Sequence, residues 1–134
     1  MGYSIFLLRF ADSEVVALDA EQFRQVTEPY VVAGGPEEGF SQLRAEDGGE
    51  VDLYHASRDE DGMSCVTATH FARGAISGVL ARLAAALRAS IVPQDGPALI
   101  LHEDERRHLP EVLQGEAVVV APTADAFQAA LDAL

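Results

Sequence analysis

The chain is poor in the residues that make covalent cross-links or carry positive charge: it has one cysteine, no lysine and no asparagine, and all nine of its permanent cations are arginine. With Cys65 alone no intrachain disulfide can form, so a disulfide-stapled secreted scaffold is excluded and a reducing, cytoplasmic setting is expected. The two missing polar residues are encoded by codons that begin with AA, which points to a GC-rich bacterial genome. The abundance of alanine, glycine, arginine and aspartate is therefore discounted as evidence of chemistry. No apolar run approaches the ~20 residues of a membrane span. Met1 to Phe10 has no basic leader-type region, and Arg9 interrupts its apolar run, so neither export nor an anchor is expected.

Positive charge is scarce as well. Nine arginines stand against 22 carboxylates, for a formal net charge of −13. No basic stripe exists to neutralise phosphates, which disfavours nucleic acid and anionic membranes as partners. What the chain does have is apolar content of 49% over 134 residues, enough for one domain spanning 1–134 to bury a core without metals or cross-links.

Periodicity then places the elements. Tyr3 to Phe10 reads as a buried strand. Asp19 caps a short helix from Ala20 to Thr27 that stops before Pro29, and residues up to Gly39 read as loop. Phe40–Arg44 and Val51–His55, either side of Ala45–Gly49, read as a β-hairpin, with Ser64–Phe71 as the next strand of an antiparallel meander. Ile76, Val79, Leu80, Leu83 and Leu87 recur at helical spacing within Gly74–Ala89. Short strands are expected near Ser90–Val92, Ala98–Leu101 and Ala117–Ala121, the last of them buried. Between the last two, a helical turn breaks at Pro110, and Thr123 caps a terminal helix carrying Phe127 and Leu131. The order β-α-β-β-β-α-β-β-β-α predicts an α+β fold, mainly antiparallel, with helices mostly on one face of the sheet.

None of the usual chemical motifs is met. Gly34 to Gly39 lacks the lysine and the following helix of a phosphate loop, and Glu37 and Glu38 would repel phosphate, so it reads as an ordinary loop. Cys65 and His70, five apart on one strand, point to opposite faces, and Cys65 reads as a small packed side chain. His102 and His108 lie six apart, about 240° around an α-helix, and His55 with Asp52 also points to opposite faces, so no metal site is expected. Glu103 and Arg107 read as an i,i+4 pair. No catalytic residue and no cofactor are assigned.

The carboxylates are distributed unevenly. Seven of them (Glu46, Asp47, Glu50, Asp52, Asp59, Glu60 and Asp61) fall within sixteen residues that contain a single arginine, Arg58. Such turns keep a small protein soluble, and they also attract a basic partner and offer charge-assisted contacts to it.

Arg9-Phe10-x-Asp12, the run from Gly39-Phe40 through Asp52-x-Tyr54, and His108-Leu109-Pro110-Glu111-Val112-Leu113 together resemble small acidic actinobacterial proteins. In size, acidity and cytoplasmic character the chain is similar to immunity proteins that neutralise polymorphic toxins. The resemblance implies a protein-binding module whose partner is a basic toxin domain, and it carries over no functional residue. From the residues themselves, Phe40 and Tyr54 are the candidate anchors, and Glu46, Asp47, Asp52, Asp59, Glu60 and Asp61 the candidate charged set. Two other readings stay open. One is a small-molecule or catalytic cleft lined by Tyr54, His70 and Arg73, and the other is a homo-oligomer joined through the Leu-rich helix or a sheet edge.

Overall fold

A computed structural model describes residues 4–35, 39–55, 65–70, 74–94 and 96–133. The first strand, β1 (Ile5–Ala11), alternates in burial: Ile5 and Leu7 are fully buried, while Phe6 and Leu8 are half-buried on the opposite face. Period-2 alternation of this kind is what a sheet with one packed face requires. Asp12 and Ser13, both at positive φ, then turn the chain into β2 (Glu14–Val16), which pairs with the end of β1.

Asp19 caps α1 (Ala20–Thr27) as the sequence predicts, its Oδ1 accepting from the amides of Glu21 and Gln22 at 2.9 and 3.2 Å. A 3-10 turn over Glu28–Tyr30 leads to β3 (Val31–Gly35), β4 (Phe40–Arg44), β5 (Glu50–His55) and β6 (Val66–Thr69). Helix α2 (Ala75–Leu87) follows, then β7 (Ser90–Pro93) and β8 (Leu99–Ile100). A 3-10 segment (Glu103–His108), the single-turn α3 (Glu111–Gln114), β9 (Val118–Val119) and α4 (Ala124–Asp132), capped by Thr123, complete the order.

The strands form one sheet in the order β3-β4-β5-β6-β1-β7-β8-β9, with β2 paired to β1 off this path. Every pairing is antiparallel except β8 with β9. The fold is therefore α+β and mainly antiparallel. Helices α1, α2 and α4 lie on one face. Phe23 from α1, Ile76, Leu80 and Leu83 from α2 and Phe127 from α4 meet Leu43, Val51, Leu53, Val66 and Ile91 from the sheet in one core. Helix α2 sits between the other two. Gly78 lets α4 approach it, since a Cβ there would lie 3.2 Å from Ala124 Cβ.

The structure corrects the expected order at four points. β2 is a strand over residues that the sequence leaves unassigned, and β3 is a strand where a loop is expected. The Asp12–Ser13 turn has the doubly left-handed backbone that matches hairpin twist. In β3, the register shift between Val31 and Ala33 and the positive φ of Gly34 are how a Gly-rich strand joins a sheet edge. β9 is not buried as expected: Ala117 and Val120 point inward, and Val118 and Val119 are 44% and 46% exposed. Fourth, the segment after His102 is a 3-10 helix, which changes which side chains share a face. Together with α3 it covers the far side of the β8–β9 end, where Leu109 packs on Ala98, Ile100 and Ala117, with Phe10 and Leu113 at the rim.

Candidate functional site

Because the three long helices occupy one face, the outward side chains of β4, β5, β6 and β1 lie on the other. Strand register lines them up. Phe40 is opposite Tyr54, Tyr54 opposite Thr67, Thr67 opposite Phe6, and Phe6 opposite Val92. The Phe40 and Tyr54 rings pack at a centroid separation of 5.1 Å and an interplanar angle of 46°, the tilted arrangement that aromatic quadrupoles favour. Tyr54 remains 47% exposed. The two sequence-derived anchors are thus one surface feature, a cross-strand aromatic pair.

The next row on the same face is polar. Asp52 accepts from Gln42 Nε2 at 3.2 Å, and its other carboxylate oxygen lies 3.1 Å from His70 Nδ1. Beyond it, Arg44 pairs with Glu50 at 2.7 Å. Of the charged set, Glu46 is exposed in the β4–β5 turn. Asp47 is committed within the fold: Oδ1 accepts from the Gly49 amide at 2.9 Å and Oδ2 from the Ala75 amide at 3.1 Å. It supplies the cap that Gly74, at the N-cap of α2, lacks, and those amides hold its carboxyl below the usual carboxylate range. Asp59, Glu60 and Asp61 lie outside the described residues.

The structure places the sequence-derived alternatives differently. His70 is bound to Asp52, and Arg73 lies outside the described residues. Cys65 is half-buried, and burial pushes its thiol up, the opposite of what a nucleophile needs. His55 faces inward, as the strand period requires, with its ring against Phe23 at 4.6 Å. The apolar stripe of α2 is spent on the core of this chain, which leaves the outer edges of β3 and β9, among the described strands, as routes to self-association.

A cleft of about 470 Å³ opens elsewhere, between the end of β1, the last turn of α2 and the 3-10 segment. His102 and His108 both line it. The α-helical spacing that separates them does not apply, because the segment is a 3-10 helix with about three residues per turn, with His102 its extended N-cap residue and His108 its last. The same period pairs Glu103 with Arg106 at 2.6 Å rather than with Arg107. Arg9 and Arg88, which the sequence reading left without a role, line the cleft too. The signal for Arg9 was in the sequence: it shares the inward parity of Ile5 and Leu7 in an otherwise apolar strand.

No group of three or more His, Cys, Asp or Glu side chains among the described residues could hold a metal ion. Among them, too, no helix is long and apolar enough to cross a membrane. No protein-family model, curated protein or solved structure matches the chain.

Proposed function

We propose that this chain is a cytoplasmic protein-binding domain of the immunity-inhibitor kind, which covers the basic surface of a toxin domain with the outer face of β4, β5 and β6. The observation that supports this reading is the Phe40–Tyr54 pair, standing at the surface beside a row of polar and acidic side chains. Large rings with few rotatable bonds contribute most to interface affinity when they insert into a partner's pocket. They also stack on guanidinium groups, which a basic partner supplies. Glu46 in the β4–β5 turn adds a charge at the start of β5, and the net charge of −13 speeds encounter with a cationic surface.

Affinity capture of the tagged protein from a lysate of its host, at low and high salt, tests the reading when run beside a Tyr54→Ala variant. Retention of a basic protein that is lost at high salt and lost on Tyr54→Ala supports it. Retention of no protein at either salt overturns it, as does capture that Tyr54→Ala leaves unchanged.

A further inference from the structure

We propose that the cleft between β1, the end of α2 and the 3-10 segment is a binding site for a small phosphomonoester with an apolar body. The chain carries 22 carboxylates and nine arginines, so an arginine without an acidic neighbour is unexpected on charge statistics alone. Arg24 contacts Glu21 and Glu28, Arg44 contacts Glu50, Arg82 donates to Tyr30, Arg106 contacts Glu103, and Arg107 donates to His108. Arg9 and Arg88 alone among the described arginines have a side chain with neither an ion pair nor a hydrogen bond, and both line this one cleft.

The remaining charges of the cleft sharpen the point. Glu105 is already engaged, its carboxylate accepting from the amides of Leu101 and His102 at 2.8 and 3.2 Å. Asp104 is the one other acid in the lining, against the guanidiniums of Arg9 and Arg88. The carbonyls that end α2 do not present a bare negative pole to the cleft, because Ala84 and Ala85 accept from the amides of Ala89 and Arg88. Two unpaired guanidiniums suit a dianionic phosphate, which each can meet with parallel N–H donors. Phe10, Ala85 and Leu101 supply the apolar wall. The volume falls within the range of about 300–1,000 Å³ typical of small-molecule pockets.

Two further features indicate a built site. Arg88 occupies the residue that ends α2 in the left-handed conformation, φ 54°, where glycine is the unstrained choice. The chain holds a guanidinium there despite the crowding that a Cβ meets in this conformation. The opposite wall is clasped in place: Ser13 N–H donates to His108 O at 2.9 Å, and Ser13 Oγ donates to Leu109 O at 3.3 Å, which ties the β1–β2 turn to the 3-10 segment.

The test is a titration of the full chain with phenyl phosphate, followed by amide NMR shifts and calorimetry, with benzyl alcohol as the neutral control. The proposal expects saturable shifts centred on Phe10, Ala11, Arg88 and His102 with phenyl phosphate and none with benzyl alcohol. Arg9→Gln and Arg88→Gly should each weaken binding about ten-fold or more, as loss of a charged hydrogen bond does. Arg88→Gly should do so while keeping or raising the thermal midpoint, so its loss of binding cannot be assigned to unfolding. Absence of saturable shifts at tens of millimolar phenyl phosphate overturns the proposal, as does undiminished binding by both variants.

Discussion

His55 Nε2 lies 2.9 Å from Ser41 Oγ on the helix-covered side of the sheet, while Nδ1 of the same ring is buried without a hydrogen-bond partner. The ring is 2% exposed, and burial lowers its pKa below the ordinary imidazole value of 6.5. The unfolded chain therefore takes up a proton near pH 6.5 that the folded chain resists, so the unfolded state binds more protons below that pH. Stability should be flat above pH 6.5 with respect to this group and should fall as the pH drops below it. Denaturant melts across pH 5–8 check the direction.

The same pair predicts an asymmetry between single and double variants. Ser41→Ala leaves both ring nitrogens unsatisfied and should cost about 1–3 kcal/mol. Ser41→Val with His55→Leu removes donors and acceptors together, keeps strand-compatible shapes, and should come out near neutral. The double variant should also lose the part of the acid sensitivity that sets in below pH 6.5. A double variant less stable than Ser41→Ala would show that the polar pair is worth more than the hydrophobic contacts replacing it.

Asp47 and Gly74 act as one device at the start of α2. Gly74 has φ 99°, and a Cβ on it would lie 2.7 Å from Asp47 Oδ2. Gly74→Ala should therefore destabilise the fold, by strain and by displacing the cap, whereas Gly115→Ala, with nothing within 4 Å and a helical backbone, should be neutral or slightly stabilising. Thermal melts of the two variants distinguish these outcomes.

Asp47→Ala should lower the thermal midpoint by a few degrees, and Asp47→Asn, which keeps a capping oxygen, by less. Because the folded-state pKa of Asp47 lies below 3.8, its contribution is present above that value and is lost as the pH falls through the lowered one. In the partner-binding reading, Asp47→Ala should change capture far less than Tyr54→Ala, since its carboxylate is already taken by backbone amides.

Local chemistry made much of this fold legible. The Asp19 and Thr123 caps, the apolar stripe of α2 and the β4–β5 hairpin follow from side chains acting on their own neighbours, and the structure has all of them. β3 was not legible, because Val31–Gly35 forms a strand only through β4, which reaches it across a bulge. The Phe40–Tyr54 pair was half-visible: both rings stood out, but their contact depends on a register that the composition does not fix. The cleft was invisible. Its four basic side chains come from three separate elements, and the one that holds two of them is a 3-10 segment rather than the α-helix whose spacing separates them.

β1 is the first of the described strands and yet sits inside the sheet, between β6 and β7. At the ribosome, residues 5–11 emerge long before their partners at 66–69 and 90–93. Ile5 and Leu7 therefore stay unpaired and apolar until β6 emerges. The late-arriving β7 closes the sheet over the longest separation in sequence, which makes assembly slow for a chain of this size and gives chaperones an interval in which to act.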